Sequence, residues 1–177
     1  MKIFCTASKD TYITDKIIHE EFRATDANVG RAGTLDLFKL YDETSLTGSN
    51  GQVELSRILV KFDLSQARKL VESKIDLREN NFSAKVRLFD VKSGQPSPSL
   101  FNVVAMPLSQ AFEEGVGRDI SVFNDLDVSN FVTASTIGGS PVLWHMSGAN
   151  KIGGLNTDPI DVIDSGTVGG ESFLYYG

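Results

Sequence analysis

Residues Ser56–Leu64 read SRILVKFDL, and the fold class turns on how this run is read. Ile58, Val60, Phe62 and Leu64 recur at period two, with Arg57, Lys61 and Asp63 between them. Leu59 is the one residue out of step. Successive side chains of an extended chain point to opposite faces, so this alternation predicts a half-buried strand carrying the apolar four on one side.

The same signal recurs on both sides of that run. SAKVRLFDV sets Ala84, Val86 and Leu88 against Lys85 and Arg87. KIFCTA, DTYIT, TLDLFKLY, SLFNVVAMPL, DISVF, PVLWHM and SFLYY are short and rich in β-branched or aromatic residues, and each predicts a strand. Between them lie the turn signals NVGRAG, GSNGQ, KSGQPSPS, STIGGSP and GANKIGG. Two stretches favour short helices. DLSQARKLVES has two turns of material with Ser65 placed to cap it, and NDLDVSNFVTA has Asn124 in the equivalent place. Many short strands with glycine- and proline-rich turns predict an all-β fold of sandwich type, with one or two short helices. No repeat, low-complexity tract or linker divides the 177 residues, so one β-sandwich domain over 1–177 is expected. The run GGESFLYYG ends the sequence inside strand-like residues. Either that strand pairs within the domain or the chain is the front of a longer protein.

Charge and composition narrow the function. A net charge of −6 without a basic stripe argues against nucleic-acid binding, which draws on lysine and arginine. No apolar run reaches the length of a membrane helix, and the first residues do not read as a signal peptide. A single cysteine, Cys5, rules out an intrachain disulfide and a cysteine-rich metal site. His19 and His145 lack partners at ligand spacing, which sets zinc aside. No G-x-S-x-G, Walker-type loop or dinucleotide-binding glycine pattern occurs.

The acid-rich loop QAFEEGVGRDI, residues 110–120, is the stretch most open to a chemical reading. Glycosidase chemistry needs two carboxylates facing each other across a cleft. Glu113 and Glu114 are adjacent and would diverge on an extended chain, so a glycine-turned structural loop is the favoured reading. A structural calcium is left open, because hard cations take several oxygens; Asp10, Asp161 and Asp164 are the preferred donors, with Asp15 and Asp26 behind them. Sugar binding would need exposed aromatic faces; Trp144, Tyr12 and Tyr41 are the candidates, with Tyr175 and Tyr176 beside them, although a core role is the favoured reading of a lone tryptophan in a β-domain.

The order ASKDTYIT, NVGRAGTLDLF, SRILVKFDLS, AFEEGVGRD and LWHMSGA resembles the DNRLRE-type domain, a jelly-roll β-sandwich related to carbohydrate-binding modules. Lys9, Asp10 and Ile13 match its first strand, Asn28 and Gly30 its N-x-G, and Arg57, Leu59 and Phe62–Ser65 its central strand. Glu114, Gly115 and Gly117 match its E-G-x-G, while Phe112 stands where the family usually has tryptophan. The resemblance thus implies fingerprint or core roles for Asp10, Phe62, Asp63, Phe112, Glu114, Gly115 and Gly117. It implies a non-catalytic module that binds polysaccharide or builds large assemblies, including bacteriophage virions. With no export signal read, the expectation is a virion component assembled in the host cytoplasm: capsid decoration, neck, tail or baseplate. Its partners would be identical copies or other virion proteins, with Phe173, Tyr175 and Tyr176 as candidate contacts. The alternative is a carbohydrate-binding module at an extracellular surface.

Overall fold

The computed structural model describes residues 2–18, 22–41, 53–73, 83–89, 91, 103–121, 127–154 and 159–164. The regular structure among them is mainly strand, with one short helix. Ser56–Phe62 of the opening run lies in β5 (Val53–Phe62), the longest strand among the described residues, while Asp63 and Leu64 lie beyond it and Leu64 is exposed. β5 is the middle of a three-stranded antiparallel sheet in which β1 (Ala7–Thr14) pairs along Ser56–Phe62 and β4 (Lys39–Tyr41) along Val53–Leu55. β2 (Ile17–Ile18) and β3 (Phe22–Arg23) make a small antiparallel pair. β6 (Thr133–Ile137) and β7 (Ser140–Leu143) form a hairpin, and β8 (Ile152–Gly153) pairs in parallel with β9 (Val162–Ile163).

The hairpin follows directly from sequence. Ile137 pairs with Ser140, which leaves Gly138 and Gly139 as a two-residue turn. Both glycines have positive φ, 59° and 81°, as the tight turn that matches strand twist requires.

The core sets Ile13 of β1 and Leu59 of β5 beside Phe112, Ala134, Trp144 and Ala149, with Leu108 packed against them. This reverses the expected faces of the central strand. Leu59, the residue out of step, is buried at 4 % exposure, while Ile58, Val60 and Phe62 are only half-buried. Arg57 lies opposite Ile13 in the β1–β5 register and so shares the core side. It keeps its charge satisfied by donating to Gly148 O and Asn150 Oδ1, both at 2.8 Å. On β1 both faces are covered, since Thr11, Tyr12, Ile13 and Thr14 are all buried.

Helix α1 (Ser65–Ser73) forms where DLSQARKLVES predicts it, with Ala67, Leu70 and Val71 half-buried along one stripe. The cap differs from expectation. Arg68 N donates to Leu64 O, so the helix begins one residue before Ser65, and the capping oxygen is Asp63 Oδ1, which accepts from Ser65 N at 2.9 Å. Among its described residues the expected second helix does not form: Asp127–Val132 runs in turns and bends and Thr133 and Ala134 belong to β6, while residues 124–126 lie outside the described residues. Asn130 explains this. Its Oδ1 accepts from Val132 N and Thr133 N at 2.8 and 2.7 Å, a local bond pattern that competes with helix.

Several expected strands are also corrected. Residues 83–89 run without a ladder and are exposed, so the alternation in SAKVRLFDV has no partner strand among the described residues. KIFCTA contributes only Ala7 and TLDLFKLY only Lys39–Tyr41. Residues 103–107 of SLFNVVAMPL are irregular, and Leu108 makes one bridge to Val162. In DISVF, Ile120 and Ser121 form a turn, and PVLWHM is strand only as far as Leu143. SFLYY, GSNGQ and KSGQPSPS lie outside the described residues.

Candidate functional site

The acid-rich loop and the N-V-G turn, remote in sequence, are laced together by one side chain. Asn28 is fully buried, and its carboxamide makes four hydrogen bonds. Nδ2 donates to Glu114 O and Ser129 O, both at 2.8 Å; Oδ1 accepts from Gly117 N at 2.8 Å and Gly30 N at 3.2 Å. Arg31 N adds a backbone bond to Gly117 O. The glycines of both motifs follow from this approach. A Cβ on Gly30 would run into the Glu114 carbonyl, and one on Gly117 into the carbonyl of Asn28. Gly115 has φ +78°, and a Cβ there would collide with Asn28 and Val128. The glycine spacing of both motifs is therefore a packing requirement of two backbone segments in close contact.

The two adjacent carboxylates leave the loop toward different strands. Glu114 Oε1 accepts from Asp10 N of β1 at 2.9 Å, and Glu113 Oε2 accepts from Thr136 N of β6 at 3.2 Å. They do not converge as an acid–base pair. Asp119 turns back on its own loop. The Ser121 amide and hydroxyl donate to it and hold its exposed carboxyl below the ordinary range, with Lys16 adding to the effect. Phe112, one residue before the pair, is buried in the core, filling the place where the resemblance expects tryptophan.

Asp161 is the second hub. It is fully buried and accepts from His145 N (2.7 Å), Met146 N (2.9 Å), Lys151 N (3.0 Å) and Gln110 Nε2 (3.3 Å). These bonds offset the cost of burying a carboxylate. Each carboxylate oxygen takes two of the four donors. Asp10, Asp161 and Asp164 are not brought together: among the described residues no three His, Cys, Asp or Glu side chains form a group that could hold a metal. Asp15, the other loop acid bonded in detail, accepts from Leu55 N and pairs with Arg23 at 3.0 Å.

The proposed stacking aromatics are corrected in part. Trp144 is 5 % exposed, lies within the core cluster, and donates Nε1–H to Asn130 O at 2.8 Å. Tyr12 is equally buried, and burial together with Asp36 and Asp119 pushes its hydroxyl up to about 12. Neither has a ring face open to a sugar. The Tyr41 side chain and Phe173, Tyr175 and Tyr176 lie outside the described residues.

Sequence reasoning missed Asn130 and Arg57 as organisers. Asn130 has a local signal, an Asx residue two places before a β-branched pair. Arg57 has none, because its partners lie more than ninety residues away. Burial draws its guanidinium below the ordinary range, with the charge of Asp15 opposing.

Fold and site together define a mainly β chain in which Asn28, Glu113, Glu114 and Asp161 bond backbone groups of distant segments. No helix of the described residues is long and apolar enough to cross a membrane. No protein-family model, curated protein or solved structure matches the chain.

Proposed function

We propose that this chain is a non-catalytic jelly-roll module of the DNRLRE type that serves as a structural component of a bacteriophage virion. The observation that carries the non-catalytic part is the use of Glu113, Glu114, Asn28 and Asp161 as acceptors and donors for backbone groups of distant segments. Such a frame presents loops and sheet faces in fixed positions, as contacts within a large assembly require. The placement in a virion rests on the family resemblance, which the N-x-G and E-G-x-G motifs support by meeting each other through Asn28. A fold of this kind hosts many functions, so the assignment is tested on the particle.

The experiment is to follow the purified protein by native mass spectrometry and sedimentation, alone and with phage particles lacking it. Self-assembly or saturable binding to the particle supports the reading. A monomer that associates with no particle sinks it, and retention on a polysaccharide column under the same conditions favours a carbohydrate-binding module instead.

A further inference from the structure

We infer that Glu113 and Glu114 form a two-ended clamp that couples the edge of β1 to the edge of β6, so that the two sheets open as one unit. Among the described residues β1 is an outer strand of its sheet, in the order β1-β5-β4, and β6 has only β7 as a strand partner. Each strand therefore turns one row of backbone groups away from its neighbour. Asp10 N belongs to the outward row of β1 and is taken by Glu114 Oε1. Thr136 N belongs to the outward row of β6 and is taken by Glu113 Oε2.

The clamp is short and held rigid. On an extended chain consecutive side chains diverge, so two adjacent residues can serve two strands without a bend. The backbone of Glu113 is itself tied into the β6 side, donating to Ala134 O at 3.0 Å and accepting from Ser129 N at 3.2 Å. The carbonyl of Glu114 is held by Asn28 Nδ2, and Phe112, the residue before Glu113, is buried in the core cluster that also holds Ile13 of β1 and Ala134 of β6. Movement of either end must therefore displace the other. The same bonds occupy outward amides that an unprotected edge would offer to an extended strand of another chain, such as a second copy. This device differs from the virion reading and does not depend on it.

Amide hydrogen exchange tests it in the folded protein. In Glu114→Ala the Asp10 amide should exchange roughly tenfold faster or more, as loss of a charge-assisted bond implies, and the Thr136 amide should accelerate with it. Glu114→Gln retains an acceptor oxygen and should leave both near the wild-type rate. Acceleration confined to Asp10, with Thr136 unchanged, overturns the inference. Should the alanine variant fail to fold, the wild-type protein decides. Asp10 and Thr136 must then share one opening with the same denaturant dependence, and two separate openings refute the clamp.

Discussion

Replacing Asn28 by alanine should be among the most damaging single changes to this protein. The carboxamide is fully buried and makes four hydrogen bonds, two donated and two accepted. At about 1 kcal/mol net for each bond the loss is ~4 kcal/mol, before the cost of leaving the buried Gly117 amide unpaired. Stabilities of single domains run about 5–15 kcal/mol, so the variant would lose a large share of its margin. For a chain of this length each kcal/mol lowers Tm by about 2–4 °C, which predicts a fall of roughly 8–16 °C. Urea unfolding followed by circular dichroism is the assay, with Cm falling at unchanged m. Asn28→Asp is the sharper control. It preserves shape and both accepted bonds, but it sets a carboxylate oxygen against the Glu114 and Ser129 carbonyls. It should be at least as destabilising as alanine at neutral pH. A loss below about 1 kcal/mol in both variants, typical of an exposed loop residue, would refute the account of this hub.

Other consequences can be checked on the same protein. Asp161→Asn replaces one acceptor oxygen with a donor facing backbone amides, and should cost about 2–4 kcal/mol in urea titrations. Ser129 Oγ is buried with no hydrogen-bond partner among the described residues, so Ser129→Ala should leave stability unchanged or raise it by up to about 1 kcal/mol in the same titrations. Tyr12 is held up near 12 from an ordinary value of 10, so spectrophotometric titration should show one tyrosine ionising late. Because the folded value is raised, its contribution to stability is complete below pH 10 and is lost as pH climbs toward 12. Asp63 is depressed by the Ser65 amide and hydroxyl, so its support of the α1 start is present above the unfolded carboxyl value of about 4. That support should disappear as pH falls through the lower folded value, seen as loss of the shifted Ser65 amide resonance.

What the sequence disclosed, and what it hid, follows from the range of the interactions. Period-two alternation locates β5, β-branched and aromatic content locates the DTYIT part of β1, and paired glycines locate the β6–β7 turn, because these signals are local. The facing of β5 was misread because alternation assumes one wet face. Here Arg57 occupies the core side with its head bonded to Gly148 and Asn150, and Ile58 and Val60 are half-covered on the other. The second helix was misread because Asn130 satisfies its own turn, a choice that propensity averages over. In SAKVRLFDV the pattern fits a strand, but a ladder needs a partner strand, which alternation cannot supply. Trp144 and Tyr12 were open to either role from sequence alone, since an aromatic residue's neighbours do not say which face is covered. The partners of the loop acids, the Asp10 and Thr136 amides, lie on segments remote in sequence and are visible only in three dimensions.

The claim that loop 110–120 is a closed structural knot and not an open site is tested most directly at one amide. Gly117 N–H is buried and donated to Asn28 Oδ1. In native-state hydrogen exchange it should be protected to nearly the full global unfolding free energy, with the denaturant dependence of global opening. Exchange at the rate of a solvated loop, insensitive to denaturant, would contradict it.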